Sequence, residues 1–139
     1  MRRLLLLAFA ASCAAAPALA AAPVTGLWRM EDNNIRVRIV PCGSALCGRL
    51  AAADKLKQNP QLKDKMNKDP ALRNRPVRNL LVMWGFTGGP QKWTGGRIYN
   101  PDDGKTYKSE MTMADANTLQ VKGCVVKPLC KSETLTRLR

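Results

Sequence analysis

"NIRVRIVPCGSALCGRLAAA", residues 34–53, carries the pattern on which the fold turns. Ile35, Val37 and Ile39 alternate with Arg36, Arg38 and Val40. A period of two sends one set of side chains into a core and the other into water, the mark of a half-buried strand. Cys42 ends this strand and Cys47 begins another, with Gly43 and Ser44 between them suited to a turn. A hairpin brings such flanking positions to about 5.5 Å between Cα atoms, the separation a disulfide needs.

Outward from this hairpin the same rhythm continues. Short strand patterns fall at 24–30, 34–41, 47–53, 80–86, 91–99, 105–113, 117–125 and 130–138. The turn-forming stretches "TGGP", "NPDDG" and "ADAN" punctuate the later ones. Strands at this spacing predict an all-β, antiparallel sandwich or barrel. In "GGRIYNPDDGKTY" (95–107) neither the calcium-loop spacing nor a phosphate-binding glycine pattern is met. It reads instead as a hairpin, with Pro101 presetting φ and Gly104 taking a positive one. Residues 54–79 break the rhythm with eight Lys/Arg, three Asp, three Pro and no aromatic. This long basic connection, between the third and fourth strands, has room for a helical turn or two around Gln61 to Met66. The rest is expected to cross the surface, either as a solvated link or as a cap on one end of the barrel.

Cys124 and Cys130 repeat the hairpin arrangement around "VVKPL". Four cysteines allow three pairings, and the local one, Cys42 with Cys47 and Cys124 with Cys130, is expected. The spacings are wider than those of zinc ribbons, and a redox pair normally has two intervening residues at a helix start. The compartment agrees with disulfides. "MRRLLLLAFAASCAAAPALAAAP" has Arg2 and Arg3 before an apolar run and small residues ahead of Ala21. It reads as a signal peptide, 1–20, delivering a domain of residues 21–139 to the periplasm or medium. It is too short and Ala-rich to make a stable membrane span, so none is expected in the mature chain. Lipidation of Cys13 is the competing fate, disfavoured by Ala10 where a bulky aliphatic is usual and by the later cleavage site.

Cleavage takes the formal charge from +13 to +11, since Arg2 and Arg3 leave. Such a charge favours anionic partners, an envelope component among them, and equally suits a soluble basic protein in an envelope full of anionic polymers. Nucleic acid is not an expected partner, because the few aromatics are not interleaved with the basic cluster at 55–78. The chain has no histidine, which removes the commonest general base and metal ligand. No serine sits in a nucleophile elbow and the carboxylates read as surface charges, so no enzyme, metal or cofactor is expected.

Taken together, "GLWRM…IRVRIVPCGSALCGRL", "DKMNKDPALRNRPV", "WTGGRIYNPDDGKTYKSEM" and "LQVKGCV…LCKSETLTRL" resemble the bacterial domain-of-unknown-function family 2147 over about residues 24–138. The resemblance implies a small exported protein with a lipocalin-like β-barrel of about eight strands, and no established activity. This chain has Leu135 where the family often has Trp. "GLW" at 26–28, with Arg137 near the end, is also similar to the G-x-W and closing Arg of lipocalins. If first and last strands pair, the Arg137 guanidinium can stack on Trp28 and bond terminal carbonyls.

Two functional readings follow. In the first the barrel holds a small, partly apolar or amphiphilic ligand, with Trp28, Met30, Met83, Met111 and Met113 as candidate cavity residues. Thioethers suit an imprecise apolar pocket and an ordinary core alike. In the second the basic connection docks on an anionic envelope surface or acidic partner, with Arg73, Arg75 and Arg78 as the contacts.

Overall fold

Val37 and Ile39 are buried while Arg38 between them is exposed, so the alternation does separate core from solvent. The computed structural model describes residues 23–139. The signal-peptide reading and Cys13 therefore lie outside the described residues. Among these, eight strands follow one another: β1 (Gly26–Met30), β2 (Arg36–Cys42), β3 (Ala45–Ala52), β4 (Leu81–Gly88), β5 (Lys92–Asn100), β6 (Lys105–Asp115), β7 (Thr118–Val126) and β8 (Leu129–Leu138). Each pairs antiparallel with the next, and β8 returns to pair with β1, closing the barrel. Closure leaves no strand edge open to another chain.

An up-and-down barrel places alternate connections at the same end. The turns after β2, β4 and β6 lie with the start of β1 and the end of β8 at one end. The turns after β1, β5 and β7 lie with the long connection at the other. The first end is closed by packing. Trp28 and Leu119 have no solvent exposure, and Ile39, Phe86 and Met111 have almost none. Phe86 lies against Gly96, where an added Cβ would fall 2.3 Å from the ring. Arg137 seals this end, in the place that the resemblance to lipocalins implied. It sits opposite Trp28 in the β1–β8 register, and its guanidinium lies 4.3 Å from the centre of the Trp28 ring. It donates to the carbonyls of Pro23, Thr25 and Ala116. Leu135 is buried opposite Met30 and Leu119, so an aliphatic side chain fills its place in the closing strand.

Both disulfides are the local ones, Cys42–Cys47 and Cys124–Cys130. They fasten hairpins at opposite ends of the barrel. Gly104 takes a φ of +66° in the β5–β6 turn, as its sequence setting predicted.

The connection between β3 and β4 departs from expectation. Its helix, α1, is Asp54–Gln58, and a 3₁₀ turn occupies Pro70–Leu72. Helix was expected around Gln61 to Met66. There the backbone is instead extended: Lys63 bridges Pro76, Asp64 N–H donates to the Arg75 carbonyl, and Val77 N–H donates to that of Leu62. The helical starts have local causes: Asp54 places a negative charge in the first turn of α1, and the Asp69 carboxylate accepts from Ala71 N–H beside Pro70. Nor is the segment merely a solvated link. Leu56, Asp64, Asn67 and Val77 are all buried, so it is a strap folded against the barrel.

Candidate functional site

Inward-facing residues toward the strap end do not fill the barrel. They leave a cavity of about 1090 Å³ whose apolar wall includes Met30, Ile35, Val37, Leu50, Met83, Ile98, Val121 and Leu135. Strap residues Leu56, Leu62 and Val77 complete the lining. Lys63, Lys65, Met66, Val125, Leu129 and Lys131 stand at its mouth, all exposed. The arrangement is apolar in depth and cationic at the rim.

Of the five residues expected to face a ligand, Met30 and Met83 line the cavity. Trp28 and Met111 are packed in the closed end, and Met113 packs against the same core without lining the cavity. Their strand parity is right but their height along the barrel is not. Sequence reading passed over Glu133, Tyr107 and Val121, which do line it. The missed signal is in β8: counting back two from buried Leu135 turns Glu133 inward. Glu133 sits opposite Val121 and pairs with Lys131 at 2.5 Å, while its own side chain is only 18% exposed. The same hydrogen bond from Lys131 to Glu133 raises the ammonium pKa above its ordinary value.

The strap is held by a buried carboxylate. Asp64 has no solvent exposure. It accepts from Tyr99 Oη at 2.5 Å, from Asn67 Nδ2 at 2.9 Å, and from Arg75 Nε and Nη2, each at 2.8 Å. Asn67 Nδ2 also donates to Tyr99 Oη, and the Arg75 guanidinium stands 5.4 Å from the Tyr99 ring centre. Burial first, then the hydrogen bond to Asp64, pushes the Tyr99 phenol above its ordinary pKa. The three arginines expected to form a docking face thus divide. Arg75 is committed to Asp64, and Arg73 donates through Nε to the Asn67 carbonyl. Arg78 is exposed.

Among the described residues, no cluster of three or more His, Cys, Asp or Glu is placed to hold a metal ion. No helix among them is long and apolar enough to cross a membrane.

Comparison with known proteins adds two findings. A family model described as "Uncharacterized protein conserved in bacteria (DUF2147)" matches residues 26–137. Among solved structures, protein HP1028 from Helicobacter pylori, described as belonging to the lipocalin family, superposes with a TM-score of 0.77. It is 22% identical, with 85% of this chain and 84% of that chain covered. At this identity the likeness is one of fold. A search of curated proteins found no match.

Proposed function

This chain belongs to the DUF2147 family of bacterial proteins, and on that premise we propose that its barrel binds one small, partly apolar ligand in the periplasm or outside the cell. The cavity carries the reading. Its volume of about 1090 Å³ lies just above the roughly 300–1,000 Å³ typical of small-molecule sites. An apolar body would lie against Met30, Val37, Met83 and Val121. A polar group would lie toward Lys131, Glu133 and Tyr107, where the lining changes character. The lipocalin-like fold supports a binding role without naming a ligand. Two intact disulfides fit an oxidising compartment. The role is binding rather than catalysis: the ionisable groups at the cavity include an ion pair, Lys131–Glu133, rather than a nucleophile with its base. Docking through Arg73, Arg75 and Arg78 is the weaker reading, since two of the three serve the strap itself.

The test is titration of delipidated protein with cis-parinaric acid, a fluorescent straight-chain fatty acid, and with the neutral probe N-phenyl-1-naphthylamine. Saturable one-to-one binding is expected for at least one probe. Val121→Trp should weaken it by about tenfold or more by filling the cavity, with cooperative unfolding retained. Absence of saturable binding to both probes would overturn the proposal. Where a probe does bind, native mass spectrometry of protein taken from its own envelope would identify the natural ligand by mass.

A further inference from the structure

Five large hydrophobic side chains are exposed among the described residues, and four of them gather at the cavity mouth. Val125, Val126 and Leu129, on the β7–β8 hairpin, are 70%, 62% and 66% exposed, and Met66 on the strap is 58% exposed. Val125, Leu129 and Met66 line the same opening, and Val126 pairs with Leu129 across the hairpin. An apolar cluster left in water at one pole of a basic protein marks a contact surface. The hairpin is fastened by Cys124–Cys130, so its tip cannot fold back to cover these side chains.

The charges around the cluster select the partner. Lys127 lies in the hairpin turn, and Lys63 and Lys65 stand across the mouth, all exposed. The acids facing the mouth are largely engaged: Asp102 pairs with Lys55, Asp54 with Lys57 and Glu133 with Lys131. Asp32, near Lys131, faces the same side. Apolar side chains ringed by free lysines match the boundary between acyl chains and anionic headgroups, where the apolar tip enters the bilayer and the ammonium groups remain among the phosphates.

We propose that the barrel docks mouth-down on an anionic phospholipid surface, inserting Val126 and Leu129 with Val125 and Met66 beside them. The surface is distinct from the arginines of the strap, and it stands whether or not the cavity holds a ligand. Docked in this way, the cavity would open directly onto the bilayer.

The experiment is flotation of the mature chain with phosphatidylcholine vesicles, with and without phosphatidylglycerol, at low and high salt. Wild type should float with the anionic vesicles, less at high salt. Val126→Ser with Leu129→Ser should lower partitioning by about tenfold or more. Lys65→Gln and Lys127→Gln should each lower it by roughly fivefold. Arg78→Gln should lower it less than either. All these positions are exposed, and circular dichroism would verify that each variant folds. Leu129→Trp should emit further to the blue when anionic vesicles are added. The proposal is overturned if wild type does not float, if the serine variant floats as wild type does, or if Leu129→Trp shifts on concentrating the protein without lipid, which would make the hairpin a self-association surface.

Discussion

Arg137 shows how much a single side chain contributes to a closed barrel. It covers Trp28 and satisfies carbonyls from the chain's approach to β1 and from the β6–β7 turn. Arg137→Ala removes the stacking and leaves those carbonyls without their donor. It should cost about 1–3 kcal/mol, read as a lower denaturant midpoint at unchanged slope. An unaltered midpoint would mean the two ends of the chain are held by strand pairing alone. The two tyrosines offer a second measurement at this scale. Tyr99 is pushed above its ordinary pKa by burial and then by Asp64; Tyr107 is pushed up chiefly by its hydrogen bond to Asp103. A raised folded-state pKa means the fold prefers the neutral phenol. The associated stability is whole below the unfolded value of about 10 and declines as pH climbs through the folded one. Tyrosinate absorbance should therefore develop above about pH 10 in native protein, and near 10 in denaturant. A native titration at or below the unfolded one would remove the phenol–carboxylate bonds from the account.

The strap is the element whose removal should be felt locally. Asp64 anchors it from within, and Gly104 lets it approach from outside: a Cβ at Gly104 would fall 1.8 Å from the Met66 carbonyl oxygen. Asp64→Ala leaves Arg75 and Tyr99 without their acceptor, a loss of about 3 kcal/mol for a buried charge with its partners. Gly104→Ala forces backbone apart at a position that also holds a positive φ. Both changes should speed proteolysis within 54–79 while far-UV circular dichroism still reports the sheet. Both should weaken probe binding, because Leu56, Leu62 and Val77 belong to the cavity wall. Proteolysis no faster than in wild type would show that the strap is seated by its apolar residues.

For the whole molecule, the disulfides reinforce a barrel that closure already specifies. Their sequence separations are 5 and 6, so each constrains only a small loop of the unfolded chain. Reduction should cost roughly 2 kcal/mol per bridge, against a total stability of about 5–15 kcal/mol for an ordinary domain. Reduced protein should keep its near-UV circular dichroism at room temperature and melt earlier. Loss of the tertiary signal on reduction alone would make the bridges a condition of folding.

The eight strands and the local cysteine pairs were legible in the residues because each rests on a short-range rule, whereas the barrel and its Trp28–Arg137 closure were implied by the resemblance to lipocalins. Alternation with a period of two tells which way a side chain points, a hairpin brings flanking cysteines together, and a barrel must join its first strand to its last. The same rules could not say how high a residue sits along the barrel. Met30 reaches the cavity while Trp28, two residues earlier on the same face, is sealed below it. Met111 and Met113 share Tyr107's strand and lie nearer its closed end. Height follows from the stagger between neighbouring strands, set by pairing register all round the barrel. The strap was hidden for a related reason. Asp64, Asn67 and Arg75 read as solvated charges and amides until Tyr99, 35 residues after Asp64, is brought against them. Only the assembled barrel supplies that partner, turning a basic loop into part of the cavity wall.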